Sequence, residues 1–238
     1  MTTSGIEHRR VVSRDEWLVA REQLLRQEKE FTRQRDALSR QRRELPWVRV
    51  EKEYVFDAPG GKETLADLFD GRSQLIVYHF MLGPGWAEGC PSCSFLSDHI
   101  DGAVVHLAHR DVTLLAVSRA PLPQIAAFKK RMGWRFKWVS SYGNDFNFDY
   151  HVSFTPDELS AGKVEYNYRL TEWSGSEAPG ISVFLKDRDQ IYHTYSTYER
   201  GLDMLNVAYH YMDLVPKGRD EGDDGVGEWL RRHDEYSD

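Results

Sequence analysis

The chain has 238 residues, of which 40% are hydrophobic, and this length and apolar content suit one elaborated globular domain. Its formal net charge of −7 argues against a general nucleic-acid-binding protein, because affinity for phosphates comes from lysine and arginine. No apolar run approaches the length that spans a bilayer and the N-terminus resembles no signal peptide, so we expect a cytoplasmic protein that binds neither nucleic acid nor membrane.

The first 45 residues predict a helical extension. Ser13 and Glu16 form a capping-box signature, and no glycine or proline follows until about Glu44, which predicts one long helix. Large apolar side chains recur at seven-residue intervals: Trp17, Leu24, Phe31 and Leu38. This stripe lies either across its own domain or against a second subunit. We expect the second arrangement, and hence a homodimer.

Residues 46–215 predict an α/β domain in which strands and helices alternate. The predicted elements are a strand at Val48–Phe56, a short helix near Leu65–Phe69, a strand at Leu75–Met81, a helix over residues 94–109, a strand at Val112–Ser118, a helix at Pro123–Met132 and a strand at Phe136–Ser140. This order predicts parallel strands joined by right-handed crossovers.

The rest of that domain predicts an antiparallel hairpin and a last helix. The hairpin strands are Ile181–Leu185 and Gln190–Tyr195, and the helix runs from about Tyr198 to Leu214. Residues 141–178, rich in aromatic side chains and without a clear period, predict an insertion. Residues 216–238 are glycine-rich and acidic, and we interpret them as a C-terminal tail.

Both cysteines of the chain, Cys90 and Cys93, form one Cys-X-X-Cys motif between a predicted buried strand and a helix. A helix N-terminus presents unpaired N–H groups and the positive end of the helix dipole, which lower the pKa of a thiol. Cys90 is therefore the predicted nucleophile, and Cys93, almost one turn further on, is the predicted resolving thiol. Pro91 suits the first helical turn, and we expect Trp86 to line the site.

Two other interpretations of the motif compete with redox chemistry. The cysteines alone are compatible with two small buried residues that lack reactivity. With His106 and His109, Cys90 and Cys93 also have a spacing close to that of a zinc finger. In one continuous helix over residues 94–109, however, these histidines lie more than about 20 Å from the thiols. We therefore predict no metal and no cofactor.

The chain resembles the thioredoxin superfamily, in particular its peroxiredoxin-like and disulfide-reductase-like branch. The segment WAEGCPSC resembles a thioredoxin active site, and LLAVSRAPLPQIAAFKKRMGWRFKWVSS resembles a strand, helix and strand of that branch. The segments GCPSCSFLSDHIDG, VSSYGNDFNFDYHVSF and PGISVFLKD are similar to the family catalogued as domain of unknown function 899, described as predicted dithiol-disulfide oxidoreductases. The resemblance implies a thioredoxin-like fold with a central mixed sheet and flanking helices.

The same resemblance implies further properties of the site. Thioredoxins have a cis-proline before the strand that faces the dithiol, which implies that Pro179 neighbours the substrate backbone. The activity implied is reduction or exchange of a disulfide, in a protein or a small molecule, through Cys90 and Cys93. A thiol peroxidase is an alternative, although no serine or threonine lies between Pro84 and Cys90 to supply the hydroxyl of the peroxiredoxin signature. A non-catalytic binding protein that uses the aromatic insertion is another.

Overall fold

The N-terminal helix, α1 (Arg14–Arg43), confirms the helix predicted from the capping box. The computed structural model describes residues 10–222 and 229–237. In α1 the Ser13 hydroxyl accepts a hydrogen bond from the N–H of Glu16, and the Glu16 carboxylate accepts one from the N–H of Ser13, at 3.3 and 3.0 Å. The helix belongs to the first of two structural units, which also includes Tyr211–Asp220, and none of its residues is buried.

The second unit consists of Trp47–His210 and Glu221–Asp238 and contains the sheets. The strands are β1 (Val48–Arg49), β2 (Val55–Ala58), β3 (Gly61–Thr64), β4 (Gln74–His79), β5 (Val112–Ser118), β6 (Trp138–Ser140), β7 (Val164–Tyr166), β8 (Arg169–Thr171), β9 (Gly180–Asp187) and β10 (Gln190–Tyr198). The helices after α1 are α2 (Pro91–Ser97), α3 (Ile100–Ala108), α4 (Leu122–Arg131), α5 (Phe146–Asp149), α6 (Pro156–Ser160) and α7 (Val207–Met212). Short 3₁₀ helices span Asp67–Phe69 and Glu199–Leu205.

Eight strands form one mixed sheet in the order β1-β10-β9-β4-β5-β6-β2-β3. Strand β5 pairs in parallel with β4 and with β6, whereas β9 pairs antiparallel with β4 and with β10. The predicted parallel unit and antiparallel hairpin are therefore both present in one sheet. Parallel strands end at a common carboxyl edge, where α/β proteins place their ligands.

The sheet is covered on both faces, as the apolar run in the predicted strand indicated. On one face Tyr78 and Phe80 pack with Phe128 and Trp138. On the other face lie the side chains that alternate with Tyr78 along the strand and their partners: Leu75, Val77, Phe56, Phe146 and Phe184. The first of these two layers contains both cysteines.

The predicted helix over residues 94–109 is in fact two helices, α2 and α3. The break lies at Asp98, whose carboxylate accepts hydrogen bonds from Trp134 Nε1 and His233 Nδ1, each at 2.7 Å. The N–H of His99 donates to the carbonyl of Leu96, three residues back, instead of continuing the α-helical pattern. Contacts with distant residues thus stabilise an interruption that the local periodicity does not show.

The predicted last helix is also divided, into the 3₁₀ helix at Glu199–Leu205 and α7, and the predicted strand Val48–Phe56 is divided into β1 and part of β2. The aromatic insertion contains α5, α6 and the separate β7–β8 hairpin. Its Val152, Phe154 and Tyr166 form a small apolar core with Tyr198 of β10. None of the described helices is long and apolar enough to cross a membrane.

Candidate dithiol site

Cys90 is the N-cap of α2, in the loop that follows the carboxyl end of β4. Pro91 is the first residue of the helix, where its missing N–H leaves no hydrogen bond unmade. The N–H of Cys90 donates to the carbonyl of Met81 at 3.1 Å, which ties the loop back to the end of the strand. The strand and helix thus place the first thiol at the junction that the sequence predicted.

The surroundings of Cys90 favour its thiolate. A hydrogen bond from the Cys93 thiol is the largest effect that lowers the pKa of Cys90, to about 7. The backbone N–H groups of Cys93 and Ser92 and the positive charge of Arg232 act in the same direction, while burial opposes them. Cys90 is partly exposed. A substantial fraction of this thiol is therefore ionised at neutral pH.

Cys93 has the opposite character. It is only 2% exposed, and burial, followed by the hydrogen bond to Cys90, raises its pKa. The hydroxyl of Tyr78, itself buried in the first layer, donates a hydrogen bond to the Cys93 sulfur. Both cysteines are free thiols, and residues three apart in a helical turn have Cα atoms about 5–6 Å apart, within the range of a disulfide. Cys93 thus remains protonated beside an ionised Cys90.

Gly89 provides room for this arrangement. A Cβ atom at this position would lie 2.6 Å from the ring of Phe80 and 2.7 Å from that of Phe128. These rings belong to the buried layer and have little freedom to move. The close approach explains why glycine, and not a larger residue, precedes Cys90 here.

The C-terminal segment, residues 229–237, lies against the loop that precedes Cys90. Arg232 Nε and Nη2 donate to the carbonyl of Gly89 at 3.0 and 2.7 Å, and Nη1 lies 2.9 Å from the carboxylate of Glu88. The ring of Trp229 contacts that of Phe95 in α2, and Leu230 is buried. Sequence reasoning assigned this segment to an acidic tail, and no local pattern around Arg232 indicates that it reaches the dithiol.

Trp86 and Pro179 lie beside the same sheet edge but differ in their contacts. Trp86 is partly buried against the layer that contains the cysteines, and its carbonyl accepts a hydrogen bond from the Gln124 side chain. Pro179 precedes β9, whose first residue pairs with the last residue of β4, and its carbonyl accepts a hydrogen bond from Tyr166 Oη at 2.7 Å. The peptide bond before Pro179 is trans, unlike the cis bond of thioredoxins.

Three histidines belong to other parts of the fold. His79 projects to the face opposite Tyr78, where it stacks on Tyr150, and its Nε2 forms a hydrogen bond with Ser182 Oγ at 2.9 Å. His106 lies in the last turn of α3, and His109 follows it. Within residues 10–222 and 229–237, no group of three or more histidine, cysteine, aspartate or glutamate side chains could hold a metal ion.

Comparison with known proteins places nearly the whole chain in one family model. The model of DUF899, described as a bacterial protein of unknown function, matches residues 6–236. No curated protein matches the sequence.

Several solved structures are similar to the chain at low sequence identity. The bacterioferritin comigratory protein of Xanthomonas campestris is 13% identical, with 67% of this chain and 90% of that chain covered and a TM-score of 0.42. The peroxidoxin BcpB of Mycobacterium tuberculosis is 13% identical, with 68% and 94% covered and a TM-score of 0.42. The mitochondrial 2-Cys peroxiredoxin of Plasmodium falciparum is 13% identical, with 70% and 92% covered and a TM-score of 0.42.

Proposed function

Since the chain belongs to the bacterial family DUF899 and has a thioredoxin-like fold, we propose that it is a thiol-disulfide oxidoreductase. Cys90 is its nucleophile and Cys93 its resolving thiol. The observation that carries this proposal is the placement of two adjacent free thiols at the start of α2: Cys90 is the partly exposed N-cap, and Cys93 is buried in the first turn. Two inert buried cysteines would need neither the N-cap position of Cys90 nor the nearby charge of Arg232.

The reaction transfers two electrons from the dithiol to the substrate disulfide. The thiolate of Cys90 attacks one sulfur of the substrate, which forms a mixed disulfide and releases the other half of the substrate as a thiolate. Cys93 loses its proton to solvent or to the thiolate released in the first step, and it attacks the Cys90 sulfur. This step forms the Cys90–Cys93 disulfide, breaks the mixed disulfide and releases the second half of the substrate. The substrate is reduced to two thiols, and the protein is oxidised.

In the second step, the surroundings of Cys93 control the loss of its proton. When Cys90 becomes part of the mixed disulfide, its negative charge is lost, and with it a major reason for the raised pKa of Cys93. The Tyr78 hydroxyl then stabilises the forming Cys93 thiolate through its hydrogen bond. The resolving thiol is thus activated after the first step, which limits its competition for substrate before that step.

The proposed substrate is a disulfide in a protein or a small molecule, approached along the sheet edge beside Cys90. Trp86, Pro91 and Pro179 are the side chains we assign to its surroundings. A free dithiol suits a reducing compartment, and we therefore place the activity in the cytoplasm.

The test is mass spectrometry of the reduced full-length protein after exposure to bis(hydroxyethyl) disulfide. We expect the native protein to lose two hydrogens within the peptide that contains both cysteines. Cys93→Ser should retain a stable hydroxyethylthio adduct on Cys90, and Cys90→Ser should form neither product. Ser92→Ala is the matched control, because it changes an exposed residue of the same motif and leaves both thiols in place.

Two results would contradict the proposal. An adduct that forms first on Cys93 in the native protein would reverse the two roles. Faster turnover of hydrogen peroxide than of the disulfide, measured with the same reductant, would identify a thiol peroxidase instead.

A further inference from the structure

A cavity of about 400 Å³ lies at the carboxyl edge of the three parallel strands. Its lining comes from the segments that follow each strand: Pro84 after β4, Arg119 after β5, and residues 141–145 after β6. Phe148 of α5 completes it. We refer to it as the Arg119 pocket. Its volume suits a small molecule or one end of it.

The guanidinium of Arg119 is held in a defined orientation. Its Nε donates a hydrogen bond to Glu177 Oε1 at 2.9 Å, and its Cζ lies 4.6 Å from the centre of the Phe148 ring. Glu177 is only 1% exposed, and its second carboxylate oxygen accepts a hydrogen bond from Ser153 Oγ. A buried carboxylate and an aromatic ring thus position an arginine side chain that is itself 20% exposed.

The other edge of the same guanidinium remains available to a ligand. No described residue accepts a hydrogen bond from Arg119 Nη1 or Nη2. The remaining charged group of the lining, Asp145, is exposed and lies 2.8 Å from Lys52 Nζ, which also lies 2.7 Å from Asp149 Oδ2. Two parallel N–H groups of a guanidinium match the two oxygens of a carboxylate.

The Arg119 pocket and Cys90 flank the same short stretch of chain. The N–H of Cys90 donates to the carbonyl of Met81, and the N–H of Ala120, next to Arg119, donates to the carbonyl of Leu82 at 2.9 Å. Met81 and Leu82 are adjacent, so one peptide unit separates the two attachment points. The loop of Cys90 and the segment of Arg119 are thus anchored to neighbouring residues of the chain after β4.

We propose that the Arg119 pocket binds a carboxylate of the substrate, so that the substrate is a small disulfide with a carboxylate near its sulfur atoms. This inference rests on the proposed disulfide chemistry of Cys90 and specifies its substrate class. Arg119 acts as the specificity determinant, through a bidentate hydrogen bond from its free edge. Glu177 is a positioning residue that acts through Arg119.

The test compares two small disulfides that differ in this one group. Dithiodiglycolate has a carboxylate where bis(hydroxyethyl) disulfide has a hydroxymethyl group. The variant is the double substitution Arg119→Gln with Glu177→Gln, which removes both charges and retains side chains able to hydrogen-bond to each other, because Arg119→Gln alone would leave a buried carboxylate unpaired. We expect its kcat/KM for dithiodiglycolate to fall about 10-fold or more, and that for the neutral disulfide to change less than about 2-fold.

Two further variants make the result specific to the guanidinium. Glu177→Gln alone should retain most of the preference for dithiodiglycolate over the neutral disulfide, since Arg119 is still present. Arg119→Lys keeps the charge but loses the bidentate geometry, and should give an intermediate loss for dithiodiglycolate only. Circular dichroism establishes that each variant is folded; if the double variant is not, Arg119→Lys supplies the comparison.

A direct binding measurement separates this inference from the proposed function. In a Cys90→Ser background, calorimetric titration with dithiodiglycolate should show binding that the double variant loses. An equal loss of rate for both disulfides, or no loss for either, would overturn the role of Arg119 and leave the dithiol chemistry intact. If the native protein reduces neither disulfide but its binding of dithiodiglycolate depends on Arg119, the proposed function is wrong. The assignment of the Arg119 pocket as a carboxylate-binding site then still stands.

Discussion

At the residue scale, the ionisation of Cys90 depends in part on a charge from the other end of the chain. The side chain of Arg232 is 11% exposed, so water screens its charge only weakly. Arg232→Gln should raise the pKa of Cys90 above about 7, towards the ordinary value of a thiol. The raised pKa should slow the alkylation of Cys90 by iodoacetamide at pH 7. At pH 10, where Cys90 is a thiolate in both the native protein and the variant, the two alkylation rates should converge.

The measurement is the pH dependence of the alkylation rate of Cys90, which mass spectrometry of the peptide that contains this residue monitors. Arg232→Lys keeps the positive charge and should restore a pKa close to the native one. Arg231→Gln removes an equal charge from the neighbouring residue and should shift the midpoint less. Identical midpoints for native protein and Arg232→Gln would show that the hydrogen bonds around Cys90 suffice without this charge.

At the element scale, residues 229–237 stabilise α2 and the loop before it. Leu230 is buried, Trp229 contacts Phe95, and Arg232 binds the carbonyl of Gly89. A chain that ends at residue 228 loses the burial of one leucine side chain and these contacts. We therefore expect its Tm to fall by about 4 °C or more. Its Cys90 pKa should rise in the same direction as in Arg232→Gln.

Circular dichroism during thermal unfolding measures the fall in Tm, and the pH profile of Cys90 alkylation measures the rise in its pKa. A chain that ends at residue 236 retains Trp229, Leu230 and Arg232 and serves as the control. An unchanged Tm and alkylation midpoint in the shorter chain would mean that these contacts contribute nothing to the site.

At the scale of the whole molecule, the apolar stripe of α1 remains a prediction of self-association. Its four large side chains are exposed to between 45% and 65%: Trp17, Leu24, Phe31 and Leu38. Soluble monomers seldom leave such a contiguous set in water, and a seven-residue repeat suits pairing of two identical helices. We expect a homodimer, which light scattering should report for the full-length chain. Phe31→Glu should weaken it because a charge would be buried at the interface.

Lys29→Gln supplies the control for that substitution, since it changes the net charge by the same amount but lies two residues from Phe31, on the opposite side of the helix. It should leave the dimer unchanged. A full-length chain that is monomeric at micromolar concentration would rule out this interpretation of the stripe.

The sequence by itself determined the features whose signals are local. The capping box located the start of α1, and the apolar run Val112–Ser118 has the bounds of β5. The position of Cys90 at a strand-to-helix junction follows from the apolar run of β4 and from the residues of the motif itself. Each of these features depends on hydrogen bonds or periodicity within a few residues, which is why a single sequence suffices to predict them.

Only the tertiary structure decided the features that join distant residues. Arg232 and Gly89 are 143 residues apart, and Arg119 and Glu177 are 58 apart, yet both pairs are in hydrogen-bond contact. The break at Asp98 depends on Trp134 and His233 in the same way. No pattern along the chain encodes such pairs, because they form only when the strand order of the sheet and the path of the C-terminal segment have brought the partners together.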